Sequence, residues 1–286
     1  MSGPPAPSTE HRVDGLAVTR RRPDEPASST VVLVHGAMDR AASFGRTMRR
    51  LGDIDVVAYD RRGYGGSLDP TAPQGEGGAI AQHARDLLTV GSWAAGPRND
   101  RPVVFVGHSL GGLVGLVASN AIGPDQHNPP SAVGAFEAPL PWLEDDDHTS
   151  GAMTLQVDRE QGPEAAAEFF YRSMVGDRTW ERISERDRQQ RRAEGPALVS
   201  ELADARRPRG TAPDDDGIPI PRTGTQLFVA RGGIGPVHLR RAAERLAAKG
   251  SVPCEVLEGA PHGAHLSHPD LFAAWVREVA GAGSPS

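Results

Sequence analysis

A chain of 286 residues, 38% hydrophobic and 24% charged, is long enough for one large domain or for a main domain carrying an insert. Its 31 basic residues against 37 acidic ones leave a net charge of −6, which argues against a nucleic-acid surface; 34 glycines and 25 prolines without a period exclude a collagen-like repeat. A single cysteine, Cys254, permits no internal disulfide and no cysteine-based metal cluster, as in proteins of a reducing, cytoplasmic compartment.

In chain order, residues 1–10 are Pro/Ser-rich with no apolar segment of the secretory type, and are expected to form a disordered tail. No apolar run reaches the roughly 18 residues of a membrane span, so no membrane span is expected. Arg12–Arg20 is weakly compatible with a strand. Val31–Gly36 (VVLVHG) is fully apolar, β-branched and stopped by glycine, as expected of a strand buried on both faces. A helix-like spacing of Phe44, Met48 and Leu51 follows, then a second buried strand, Ile54–Asp60, and a glycine-rich turn, RRGYGGS. A helix is predicted over Ala79–Trp93, a third buried strand over Pro102–Gly107 with an apolar helix directly after it, and a fourth over Ser131–Ala138. Thr225–Ala230 and Val252–Glu258 read as two further strands, with helices over Pro236–Lys249 and Pro269–Ala280. Short strands alternating with helices predict an α/β fold: a mostly parallel sheet covered on both faces.

The stretch between Ala138 and Thr225 breaks that rhythm. It holds no convincing buried strand, and a structureless connection of that length would be unusual. Helical patterns around Glu164–Met174 and Thr179–Ala205 predict a helical insert at 139–224, over a core made of 11–138 and 225–286. The acids Asp145–Asp147 and the sign-alternating run Glu181–Arg192 read as solvated surface of that insert.

The sharpest chemical signal is Gly107-His108-Ser109-Leu110-Gly111, directly after a buried strand and before an apolar helix. A serine at that corner stands on a tight turn with its hydroxyl above the sheet, and the flanking glycines let strand and helix approach. The Leu110 amide lies at the helix start, where N–H groups lack helical partners and favour negative charge. A nucleophile beside a donor for a developing oxyanion is what acyl transfer requires.

VVLVHG, YDRRGYGGS, VVFVGHSLGG and GAPHGAHLSHPDLF occur in the order found in the α/β-hydrolase superfamily, which the chain resembles from about Val31 to the C-terminus. The resemblance implies an α/β-hydrolase fold in which 139–224 is a helical cap shaping the substrate pocket. It implies Ser109 as nucleophile, with the amides of Ala37 and Leu110 as oxyanion donors. Met38 is an alternative donor, or a pocket residue. It places the catalytic histidine at His262, seven residues before Pro269, with His265 as the fallback and His35 as a loop-ordering residue. The chain departs from the commonest pattern at the acid: Ala230–Arg240 contains no Asp or Glu, and Arg231, Gly232 and Gly233 stand where an aspartate is usual. A sub-group with a glutamate–proline segment after the next strand offers a replacement, Glu137. The order Ser109, Glu137, His262 is then the superfamily's own. An exposed or turn-holding Glu137, and Asp60 as the acid, are the alternatives.

The expected activity is hydrolysis of a small or medium carboxylic ester or thioester through an acyl-enzyme. The candidate pocket residues are Met38, His108, Trp142, Phe170 and Met174. No cofactor and no metal is expected, although His262, His265 and His268 fall close together. A small-molecule substrate is the expected partner, and a monomer and a homodimer are both compatible. The serine elbow disfavours chemistry that needs an aspartate nucleophile. Carbon–carbon bond hydrolysis and a non-catalytic binding role remain as alternatives.

Overall fold

Alternation along each central strand decides the layers. Val31 and Leu33 of β3 (Thr30–Val34) pack on one face of the sheet, while Val32 and Val34 pack on the other. With both faces covered, β3, β4 (Asp55–Tyr59), β5 (Val103–His108) and β6 (Ala132–Phe136) are buried at every position, which explains their unbroken apolar sequences. The computed structural model describes residues 8–25, 27–69, 78–97, 101–121, 129–143, 149–207, 209–210, 215–222 and 224–282.

The sheet has eight strands in the order β1-β2-β4-β3-β5-β6-β7-β8, where β7 is Gln226–Gly232 and β8 is Cys254–Leu257. All pairings from β4 to β8 are parallel; β1 (Thr9–Val13) and β2 (Leu16–Arg21) form an antiparallel hairpin at one edge. One apolar cluster sets α1 (Gly45–Arg50) and α11 (Pro269–Ala282) against the sheet through Met48, Phe272, Trp275 and Val276. The opposite cluster seats α2 (Ala79–Ala95), α3 (Leu110–Asn120) and α9 (Val237–Gly250) through Leu87, Val90, Leu116 and Leu246. No helix among the described residues is long and apolar enough to cross a membrane.

Between β6 and β7 the chain leaves the sheet for five helices: α4 (Ser150–Gln161), α5 (Pro163–Val175), α6 (Asp177–Arg182), α7 (Glu185–Ala193) and α8 (Gly195–Ala205). They form a cap whose underside meets the core in a third apolar cluster. Ala167, Phe170 and Leu198 come from above, and Met38, Tyr64, Ile80 and Leu110 from below. The cap is also fastened by buried charge. Arg61 Nη1 donates to Glu201 Oε2 at 2.6 Å with both side chains fully buried, and the Tyr64 hydroxyl donates to Glu201 Oε1 at 2.5 Å. His83 Nε2 lies 3.2 Å from the same carboxylate. One turn later, Asp204 Oδ2 accepts from the Ile80 amide at 2.9 Å and so caps the start of α2.

Three expectations need correction. Thr9 and Glu10 are not tail but strand: β1 pairs with β2 across a turn at Asp14 and Gly15, both at positive φ, the backbone that a two-residue hairpin needs. Residues 1–7, and the acids Asp145–Asp147, lie outside the described residues. The helical pattern over Thr179–Ala205 is three helices rather than one, and α4 precedes them unannounced. Nor is the run Glu181–Arg192 only a solvated face. Arg191 donates to the Met38 carbonyl at 2.9 Å and lies over the Tyr171 ring at 4.7 Å, and Arg192 lies over Trp180.

Candidate active site

The carboxyl ends of β3, β5, β6 and the loop after β8 converge, and each brings one candidate group. Ser109 follows β5 at φ 54° and ψ −127°, a strained corner for a residue with a side chain. The corner exists because strand and helix nearly touch: a Cβ on Gly107 would sit 2.2 Å from the Gly111 carbonyl group, and one on Gly111 would sit 2.1 Å from the Val34 oxygen. The Ser109 amide donates to the Phe136 carbonyl at 2.8 Å, fixing the corner to the end of β6.

One residue beyond Phe136 is Glu137, also at positive φ (46°) and fully buried. Its amide donates to the Ala230 carbonyl at 2.9 Å, so the backbone turn is held by β7. Its carboxylate faces His262: Nδ1 of His262 and Oε2 of Glu137 are 2.5 Å apart. The second oxygen, Oε1, accepts from the Gly232 amide at 2.9 Å. Gly232, one of the residues standing where the sequence lacks an expected aspartate, thus gives its backbone N–H to a carboxylate from the neighbouring strand. Gly235 completes the arrangement, since a Cβ there would stand 2.4 Å from Glu137 Oε1.

His262 is partly exposed, at 26%, in the loop between β8 and α10 (Ala264–Ser267), so its ring reaches both the buried acid and the solvent-facing site. On the other side of Ser109 runs the loop after β3. A Cβ on Gly36 would come within 3.0 Å of Ser109 Cβ, so this loop lies directly against Ser109. Its next residues are Ala37, buried, and Met38, buried and at φ 52°. Leu110 is the first residue of α3, and its N–H therefore has no partner within the helix. Of the five non-glycine residues with positive φ among those described, Met38, Ser109 and Glu137 lie here, while Asp14 and Ser251 lie in turns. Strained backbone concentrated at one site is a mark of function.

The neighbouring polar residues serve order. His35 is fully buried, donates from Nδ1 to the Gly36 carbonyl at 2.7 Å and accepts from the Arg61 amide at Nε2 at 2.9 Å. Burial, reinforced by the Arg61 charge, pushes its pKa down to about 3, so it stays neutral and holds the loop. Asp60 accepts from the Ala41 amide at 2.8 Å and the Gly66 amide at 2.7 Å, which spends both oxygens on loop backbone. His265 is buried and pairs through Nε2 with Asp39 Oδ2 at 3.1 Å.

The pocket candidates separate. Met38 and Phe170 are buried in the cluster between core and cap, with Trp142 packed at its edge and donating to the Asp216 carbonyl at 2.7 Å. Met174 is 46% exposed near the end of α5 and does not join them, because it lies one helical turn beyond Phe170 where α5 leaves the core. His108 is not in that cluster; its ring lies among those of His262, His265 and Phe136. Asp39, His108 and His265 together bring ligand-type atoms within 4.8 Å of one another, the described group whose donors could hold a metal ion.

Sequence reasoning missed Gly232 as a donor to the Glu137 carboxylate and Gly235 as the space beside it, although Gly232 and Gly233 were visible where a carboxylate was expected. It also missed Glu201. The signal there was a carboxylate on the stripe Leu198, Glu201, Ala205, which is the buried face of α8.

Residues 31–275 match the family described as "Alpha/beta hydrolase family", and the chain belongs to it. A curated relative, "Putative carbamate hydrolase RutD" of Variovorax paradoxus (strain S110), is 38% identical over 96 residues. That match spans 32% of this chain and 33% of the relative, about a third of its length. Among solved structures, the enol-lactonase from Burkholderia xenovorans LB400 superposes with a TM-score of 0.61 at 19% identity, covering 95% of this chain and 99% of that one. A thermophilic esterase from Thermogutta terrifontis superposes with a TM-score of 0.60 at 16% identity, covering 98% and 100%. At these identities the likeness is one of fold.

Proposed function

We propose that the protein is a serine hydrolase of small or medium carboxylic esters or thioesters, working through an acyl-enzyme. The observation that carries this reading is the 2.5 Å contact between His262 Nδ1 and the fully buried Glu137, beside a serine on a strained strand–helix corner. Glu137 holds the imidazole with its proton on Nδ1, leaving Nε2 as the base that takes the proton of Ser109. The hydroxyl oxygen attacks the carbonyl carbon, and the amides of Ala37 and Leu110 receive the developing oxyanion. The imidazolium, stabilised by Glu137, then protonates the leaving alcohol or thiol as the carbon–heteroatom bond breaks. Water, deprotonated by the same nitrogen, releases the acid product and returns the serine. The apolar cluster of Met38, Leu110 and Phe170 under the cap favours an uncharged acyl group of modest size.

The test is turnover of p-nitrophenyl acetate and butyrate by the wild type, Ser109→Ala and Glu137→Gln. The reading expects loss of turnover in the first variant and a fall of at least roughly ten-fold in kcat for the second, with the fold retained. Turnover unaffected by Ser109→Ala would remove the serine from the mechanism. Near-normal activity of Glu137→Gln would remove the acid.

A further inference from the structure

Three loops around Ser109 meet at a second set of polar side chains, two of them buried and one, Asp39, partly buried. Asp39 follows Met38 in the loop after β3, His108 precedes Ser109, and His265 stands three residues after His262. Asp39 is oriented by its own loop: Oδ1 accepts from the Arg40 amide at 2.8 Å, and Oδ2 accepts from the Ser43 hydroxyl at 2.9 Å. Oδ2 also meets His265 Nε2 at 3.1 Å. The His265 ring, buried against Phe44 and Phe272, lies 4.1 Å from the His108 ring, centroid to centroid. His108 donates from Nε2 to the backbone carbonyl of His262 at 2.8 Å. Its Nδ1 is buried without a hydrogen-bond partner, as is Nδ1 of His265.

Each link has a physical consequence. A carbonyl can only accept, so His108 carries its proton on Nε2. Burial, with the proximity of the His265 and His262 rings adding to it, holds the His108 imidazole well below its ordinary pKa, and the ring stays neutral. Burial opposes ionisation of Asp39, but the hydrogen bond and charge of His265 outweigh it and keep the carboxyl well below the usual range. A permanent carboxylate therefore fixes His265 against the oxyanion loop. The two rings, in contact at a tilt of 47°, pass that position to the backbone carbonyl of His262.

We propose that Asp39, His265 and His108 form a positioning chain that sets the base loop against the nucleophile and the oxyanion loop. The inference rests on the serine-hydrolase reading for its catalytic consequence, but not for its geometry. His262 has two supports: Glu137 orients its ring through Nδ1, and His108 anchors its backbone. Losing the second lets the ring drift while its acid partner stays in place. A misplacement near 1 Å in a reacting group costs on the order of 10²-fold in rate.

The experiment compares wild type, His265→Leu, His265→Gln and Asp39→Asn on p-nitrophenyl acetate, alongside the far-downfield NMR signal of the His262 Nδ1 proton. The expected result is a kcat lower by roughly ten- to hundred-fold in His265→Leu with KM little changed, partial rescue in His265→Gln, and a displaced or broadened His262 proton signal in the leucine variant. Should His265→Leu fail to fold, Asp39→Asn carries the test, with the same direction expected. Unchanged kcat and an unchanged proton signal in the folded variants would overturn the proposal. So would loss of wild-type turnover to EDTA and its return with Zn²⁺, which would make the three residues a metal site instead. If the wild type hydrolyses no ester at all, the hydrolase reading fails, and the proton signal still decides whether the chain holds His262.

Discussion

Gly235→Ala perturbs the site without replacing any proposed catalytic side chain. Gly235 has no positive φ, so alanine meets no backbone strain there. The new methyl carbon would stand 2.4 Å from Glu137 Oε1, where ordinary contact begins at 3.4 Å, so one of the two groups must yield by about an ångström. The end of a side chain usually gives way easily. Here it is fully buried and held at both oxygens, by Gly232 N–H at 2.9 Å and by His262 Nδ1 at 2.5 Å. A displacement of that size breaks at least one hydrogen bond to a charged group, each worth about 1.5–3 kcal/mol. Carried into the transition state, that is a loss of roughly 10- to 100-fold in kcat/KM, at about 1.4 kcal/mol per decade. The assay is kcat/KM on p-nitrophenyl acetate beside a thermal melt. A folded Gly235→Ala protein with wild-type kcat/KM would refute the claim that Glu137 must occupy its observed place.

Three further predictions concern the cap and the pocket. Glu201→Ala strands the fully buried Arg61 guanidinium, and breaking such a pair costs about 3–5 kcal/mol; a Tm lower by roughly 5–10 °C is expected, and an unchanged melt would contradict it. Acid should loosen the same seam. Burial works against the Glu201 charge, but the opposing Arg61 charge wins and holds its pKa near about 2, while burial and Arg61 hold His35 near about 3. Both folded-state values lie below the unfolded ones. The two groups therefore contribute stability that is present near neutrality, and that fades below pH 6.5 for His35 and from 4.5 toward 2 for Glu201. Melts between pH 7 and pH 4 should show a falling Tm, steeper than in a Glu201→Gln protein at the acid end; a flat profile would oppose the assignment. Phe170→Ala opens the cluster beneath the cap and should raise kcat/KM for a hexanoate ester relative to the acetate several-fold, whereas an unchanged ratio would place the acyl group elsewhere.

The parallel core was readable because its strands are buried on both faces, and such strands announce themselves as unbroken β-branched runs. The edge hairpin was not. Four of the five β1 positions are exposed, so Thr9–Val13 shows neither an apolar run nor a clean alternation. In α4 the signal pointed the wrong way: Met153, Leu155 and Val157 recur every second residue, a strand-like spacing on a helix where, of these positions and their neighbours, Thr154 is the buried one. The corner that carries Ser109 and the loop that carries His262 were legible from local motifs, because a strand–turn–helix corner and a loop before the last helix are local features. The reason for Glu137 was not legible. Its place depends on Gly232, Gly235 and Ala230 of β7 and the loop after it, about a hundred residues away in sequence, and only the sheet order brings them together. The same holds for Asp39 and His265, which are 226 positions apart yet hydrogen-bonded.

The central claim is that Ser109 is an activated nucleophile, and covalent trapping tests it most directly. The protein would be incubated with a fluorophosphonate, its intact mass measured and the adduct located by peptide mapping. The account predicts a single adduct on Ser109, absent from Ser109→Ala and formed more slowly by Glu137→Gln. A wild-type protein that acquires no adduct, or one labelled equally after Ser109→Ala, would contradict it.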